Sequence, residues 1–357
     1  MELKIASETD QHLWDSIVER SPNGTLFHTW KWLKLMEKNS SMKNVGMKSL
    51  LFTQQINATL YPLLIMEKDQ AVGIFPLYFF RNPLFNFCYS PPHSNMGVTP
   101  YLGPIFPDIE IMKPEKKQIF INDFQKIADG FIKKDLKSKY ILINTPPGFE
   151  DCRAFKWRGY TVEPRYTYNI DLEAGADTIW KNFNRSLRYY IEKARKVGIV
   201  VSDGNKDDSF YIHDLLKERN RTTLSKAFLS EIYDTFYPDN IKIFIAMADS
   251  KRLSGIITLI YKDKVSFWMG APKSSYMGLS PNELVLWESI KWASEHGYKI
   301  YEIVGADEYS LFPFKRKFNG KITPYYQVKW LSRPLNVFSS MYRSLIKGND
   351  NVDDLKY

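Results

Sequence analysis

Apolar positions along the chain follow two periods, 3.6 and 2, and the switch between them happens twice. Trp14, Ile17 and Val18 recur at helical spacing, as do Trp32, Leu35 and Met36 after the turn Ser21-Pro22-Asn23-Gly24. From Ser49 the pattern becomes that of strands. Residues 60–66 and 71–79 flank Glu67-Lys68-Asp69-Gln70, which predicts a hairpin. Residues 89–107 are rich in Pro and Gly, too long a stretch for a plain connector, and are expected to line something. A helix near 115–134 and a strand over 140–144 follow.

The second passage opens with a strand at 169–172. Asp177 is placed to cap one helix running to about Val197 and closed by Gly198. A helix is predicted near 208–219, then strands at 241–249 and 253–261 joined through Ser250-Lys251-Arg252, and a third strand at 265–270. Ser280 followed by Pro281 starts a helix that ends at Gly297. A strand at 300–304 leads into Leu311-Phe312-Pro313-Phe314-Lys315-Arg316-Lys317-Phe318-Asn319-Gly320. The two passages rhyme, and both hairpins place a Gly directly before an Ile in their second strand, Gly73-Ile74 and Gly255-Ile256. The pattern predicts an α+β protein of two duplicated units, 1–167 and 168–332, with a helix and tail over 333–357.

Composition narrows the function classes. The 357 residues carry a net charge of +9, and aromatic residues make up 15 %, with 22 Tyr and 23 Phe. That balance favours an anionic partner and broad aromatic clefts. The only two cysteines, Cys88 and Cys152, make neither a disulfide framework nor a zinc site, and no metal is expected. The start Met1-Glu2-Leu3-Lys4 lacks an apolar signal core, and no apolar run reaches the roughly 20 residues of a membrane span. A cytoplasmic protein is expected. The tail 333–347 mixes Leu335, Phe338 and Leu345 with Arg343 and Lys347, which suits packing on the body or peripheral contact with the inner face of a membrane.

Four stretches carry a resemblance: Phe27-His28-Thr29-Trp30-Lys31-Trp32, Arg185-Ser186-Leu187-Arg188-Tyr189-Tyr190, the helix from Pro281, and Phe314-Lys315-Arg316-Lys317-Phe318-Asn319-Gly320. Together they resemble the Fem-type peptidoglycan-bridge aminoacyltransferases and the BioF2-like acetyltransferases of the GNAT superfamily. The last stretch departs from the family's Phe-Lys-x-x-Phe-Gly-Gly by Asn319. The resemblance implies two tandem GNAT-like domains with a cleft between them and no coiled-coil arm. It implies transfer of an acyl or aminoacyl group to an amine of a cell-envelope or polysaccharide precursor.

Such chemistry needs a neutral amine, a polarised carbonyl and a site that holds both. The resemblance puts the functional Phe-Lys pair on Phe314 and Lys315, with Lys315 stabilising the carbonyl oxygen or the leaving group. Arg316 and Lys317 would point elsewhere on an extended backbone and meet a phosphate. On the helix after Asp177, Trp180, Phe183, Leu187, Ile191 and Ala194 share one face, while Lys181, Arg185, Arg188 and Arg195 share the other. That basic face is either solvated or holds phosphates through Arg185 and Arg188. Trp32 and Tyr301 complete the candidate substrate-binding set.

No cofactor is expected. The donor, aminoacyl-tRNA or acyl-CoA, is a substrate, and the acceptor is an amine-bearing, phosphorylated or lipid-linked molecule. No stable nucleic-acid complex is expected. The glycine-rich diphosphate loop of ordinary GNAT enzymes is missing between Gly270 and Pro281, which argues against a standard acyl-CoA site. A BioF2-like acyl-CoA N-acyltransferase and a non-catalytic binding protein stay open beside the Fem-like reading. So does the general base: His93 is the best placed of the five histidines, Glu302, Asp307 and Glu308 flank the cleft strand, and Asp307 or Glu308 could accept a proton through water.

Overall fold

The computed structural model describes residues 1–43, 55–82, 85–222, 224–271 and 275–332. The expected helix and tail over 333–357 lie outside them.

The first unit begins with β1 (Glu2–Ile5), α1 (Gln11–Arg20) and α2 (Trp30–Asn39), then the short pair β2 (Ser41–Lys43) and β3 (Gln55–Asn57). β4 (Thr59–Glu67) and β5 (Gln70–Phe80) form the predicted hairpin, and β6 (Asn86–Ser90) pairs antiparallel to β5. The long connection then crosses to α3 (Pro114–Gly130), β7 (Ser138–Asn144), α4 (Arg153–Trp157) and β8 (Thr161–Asp171). β7 runs parallel to β6.

The second unit repeats this order. α5 (Ala176–Asn182), α6 (Arg185–Lys196), β9 (Val200–Asp203), α7 (Lys206–Glu218) and α8 (Lys226–Phe236) precede the meander β10 (Ile241–Ala248), β11 (Lys251–Tyr261) and β12 (Lys264–Gly270). Then come α9 (Pro281–Glu295), β13 (Ile300–Ile303) parallel to β12, the short helix α10 (Phe312–Lys315) and β14 (Lys321–Leu331). The rhyme extends to detail. Each hairpin carries a register shift just before its turn, and Ile65 faces Gly73 as Ile245 faces Gly255. A Cβ at Gly255 would come within 2.5 Å of the Ile245 Cδ1 methyl, so a larger residue there would have to displace the Ile245 and Ile212 side chains.

The last strands are exchanged between units. β8, the end of the first unit, pairs with β13 of the second, while β14 returns to pair with β7 of the first. β8 and β14 also pair with each other, from Lys321 opposite Asn169 to Lys329 opposite Thr161. One twelve-stranded sheet results, in the order β1-β4-β5-β6-β7-β14-β8-β13-β12-β11-β10-β9. The expected boundary between 167 and 168 therefore falls inside a single strand.

Among the described residues, three apolar clusters hold the sheet. One joins α1 and α2 to α7 and α8, one lies under α3 and α4, and one under α5, α6 and α9. The helix expected from Asp177 to Val197 is two helices. Gly175 takes the cap position of α5, and the chain breaks at Phe183-Asn184. The Asn184 side chain accepts from Ser186 N at 2.9 Å and restarts the helix, while its own N–H donates to the Lys317 carbonyl. Phe183 turns inward against Trp287 and Phe318. Gly198 and Gly297 follow their helices in the left-handed region, φ +82° and +79°, as predicted. The longest described helix is α3, so the described residues hold no helical arm and none long and apolar enough to cross a membrane.

Candidate active site

β12 and β13 pair only from Lys264 opposite Ile300 to Phe267 opposite Ile303. Beyond that point the two strands part, and β12 continues through Trp268, Met269 and Gly270 paired with β11 but not with β13. A cleft of about 1240 Å³ opens at this fork. Its walls come from both units and from the exchanged strands.

The second unit supplies the wall carrying the decamer. That segment is helical: α10 passes into a 3₁₀ turn over Arg316–Phe318. The extended backbone expected for Arg316 and Lys317 is thus replaced by about two turns of helix, for which Pro313 at an early helical position is suited. Asn319 ends the turn at φ +53°, a left-handed position that Gly fills easily and Asn tolerates. The departure at Asn319 therefore keeps the backbone conformation a Gly would give.

Lys315 is 4 % exposed and lines the cleft. Its Nζ donates to the carbonyl of Val304 and, at 3.0 Å, to that of Gly305, the two residues that follow β13. Burial pushes the ammonium down to about 8, with the Glu308 carboxylate pulling the other way. Phe314 packs its ring on Phe318 at 5.4 Å and lines the cleft beside it. Arg316 is exposed at the rim with its guanidinium over the Phe312 ring. Phe314, Lys315 and Arg316 are thus brought together at one cleft.

The other candidates lie elsewhere. Trp32 is fully buried, donates Nε1–H to Thr99 Oγ1 at 3.0 Å and packs on Phe27, Phe236 and Trp268. Tyr301 is fully buried on the α9 side of the sheet, its hydroxyl 2.6 Å from Ser289 Oγ. Both are core residues and do not line the cleft, a correction to the expected substrate-binding set. The early aromatic motif is a packing motif here, because α2 turns its apolar stripe to the sheet. Arg185 and Arg188 also stand outside the cleft lining, on α6. Arg185 is exposed, and Arg188 is half-buried with Nε lacking a hydrogen-bond partner.

Among the expected acid–base groups, His93, Asp307 and Glu308 line the cleft. Asp307 accepts the Tyr166 N–H at 3.0 Å. Glu308 accepts from Ser310 and from Arg221, and these bonds hold its carboxyl below the ordinary value. The Arg221–Glu308 contact, 2.6 Å, bridges the segment after α7 to the segment before α10 at the cleft mouth. Glu302 is fully buried and off the cleft. Burial would raise its carboxyl, but Lys264 at 2.7 Å and the Tyr101 hydroxyl at 2.7 Å outweigh that and hold it low. It joins the first unit to the second.

Sequence reasoning missed the opposite wall. Tyr140, Leu142 and Asn144 of β7 and Tyr325, Gln327 and Lys329 of β14 line it with Arg165 of β8. Arg165 donates to Gln327 Oε1 at 3.0 Å, Gln327 to Asn144 Oδ1 at 3.1 Å, and Asn144 to the Pro100 carbonyl at 2.9 Å. That polar ladder exists only because β14 crosses between units. Glu283, in the first turn of α9, was missed as well.

Residues 181–316 match the family model of the acetyltransferase (GNAT) domain. No curated protein matches the chain by sequence. Among solved structures, FemX superposes over 95 % of this chain and 99 % of its own, with a TM-score of 0.66 at 15 % identity. The C-terminal domain of a protein from Agrobacterium fabrum assigned as a lysylphosphatidylglycerol synthetase covers 90 % of this chain and 91 % of its own, at TM-score 0.50 and 12 % identity. A tandem GNAT protein from the clavulanic acid biosynthesis pathway covers 92 % and 97 %, at TM-score 0.50 and 8 % identity. At these identities the likeness is one of fold. The GNAT-domain match falls within the second unit, and the repeated unit with a cleft at its forked strands gives this chain the tandem GNAT-like fold that FemX shows.

Proposed function

We propose that the protein forms an amide by moving an activated acyl or aminoacyl group onto an amine of a cell-envelope or polysaccharide precursor. One observation carries this reading: a buried ammonium, Lys315, stands at the fork of β12 and β13, facing a cleft large enough for two substrates. A preplaced cation in a water-poor wall stabilises the oxyanion of acyl transfer far better than one in bulk water. Phe314 supplies the apolar wall beside it. The basic rim residues Arg316, Arg219 and Lys329 suit a phosphorylated acceptor or a nucleotide-bearing donor.

The donor we favour is an aminoacyl ester. The head of α9 starts with Pro281, which has no N–H, and carries Glu283 two residues later, a poor cradle for a coenzyme A diphosphate. Incubation with charged tRNA and, separately, with acyl-CoA, each with amine-bearing envelope precursors, tests both donors by labelled amide product. Product with acyl-CoA alone would favour the acyl-CoA transferase. No product with either would sink the enzymatic reading for those donors.

A non-catalytic reading has one observation in its favour, since two of the three Lys315 donors are already engaged by carbonyls. Lys315→Ala separates the two. Loss of function in the cell supports transfer. Retention, with loss on Arg188→Ala, supports binding alone.

A further inference from the structure

A Glu at the third position of a helix ordinarily reaches back to bond the N–H of the capping residue. Glu283 does not, for α9 has no side-chain cap. Its Oε1 meets Lys317 Nζ at a long 3.3 Å, and its Oε2 has no hydrogen-bond partner. The residue is 7 % exposed and lines the cleft. A buried carboxylate oxygen left unbonded is costly, and native structures keep few of them without a purpose. The carboxylate accepts only, so its complement must donate N–H and carry positive charge. An arriving anion finds the opposite: a negative charge in the first turn and a Pro where an amide would stand. Lys317 shows the kind of group that fits, an ammonium resting against one oxygen.

We propose that Glu283 is an ammonium-binding residue of the cleft, which takes a primary ammonium in place of Lys317. That ammonium belongs to an aminoacyl donor or to the acceptor amine, so the inference rests on the transfer reading above for its substrates. The test needs no turnover, and absence of product in the donor assays leaves its outcome intact. Binding is followed by the fluorescence of Trp268, which lines the cleft. Two probe pairs are titrated: 3′-amide-linked alanyl-adenosine with its N-acetyl form, and Nα-acetyl-lysyl-D-alanine with its side-chain-acetylated form. The wild type is expected to prefer the ammonium form of one pair by about tenfold or more, and the pair that responds identifies donor or acceptor. Glu283→Gln, with its fold checked by thermal melting, removes that preference and leaves binding of the acetylated form unchanged. Lys317→Met removes the resident ammonium and tightens binding of the ammonium form. The proposal is overturned by a wild type without preference in either pair, by a preference that survives Glu283→Gln, or by weaker ammonium binding in Lys317→Met.

Discussion

Lys315 should give the activity a falling alkaline limb. Its side chain is buried and its ammonium is pushed from the ordinary 10.5 to about 8. That displacement corresponds to about 3 kcal/mol held against the charged form in the folded chain. The folded value lies below the unfolded one, so the cost is present in full below pH 8. It is relieved as pH rises from about 8 towards 10.5, and stability should climb across that window. The rate should do the reverse, because a neutral amine cannot stabilise an oxyanion. Above pH 8, kcat should fall about tenfold per pH unit, while a rising limb at lower pH reports deprotonation of the acceptor amine. Lys315→Arg keeps its charge throughout and should lose the alkaline limb at a lower overall rate, since a planar fork does not fit a single ammonium's place. Lys315→Met should lose about 10²–10³-fold in kcat at pH 7. Steady-state rates from pH 6 to 10 on the three proteins, with urea midpoints at pH 8 and 9.5, make the comparison. The reasoning is refuted if the wild type holds its rate to pH 10, or if Lys315→Arg keeps the same limb.

Three further outcomes are expected. Gly305→Ala would set a methyl 3.0 Å from Lys315 Nζ at a residue with φ +76°, so kcat should drop about tenfold or more with the fold retained by circular dichroism. Trp32→Ala should cost about 3–5 kcal/mol in urea unfolding. Tyr301→Phe should cost about 1 kcal/mol, and both variants should leave the KM of the surviving folded protein unchanged, as befits core positions. Asn319→Gly should be near neutral, while Asn319→Ala should cost about 1 kcal/mol by the same measurement, because its φ of +53° strains a Cβ without a compensating amide.

The sequence by itself determined the elements and their duplication. Helix and strand periods report which face each residue turns to a core, so the hairpins, the helix that starts at Ser280-Pro281 and is closed by Gly297, and the α+β unit were all legible from local spacing. It also marked Phe314, Lys315 and Arg316, because their order resembles a family motif. Spacing did not reveal the break at Asn184, where a local side-chain cap and a bond to the distant Lys317 carbonyl override a helical stripe. It misread Trp32 and Tyr301, since an aromatic stripe reads alike whether it faces a ligand or a core. Only the tertiary structure decided the exchange of β8 and β14, which depends on pairing between residues as far apart as Asn144 and Gln327. That exchange built the second wall of the cleft. Lys315 is likewise a surface-type residue in sequence. What changes its chemistry is its place at the end of β13, where two carbonyls bind it and burial removes the water that would otherwise hold its charge.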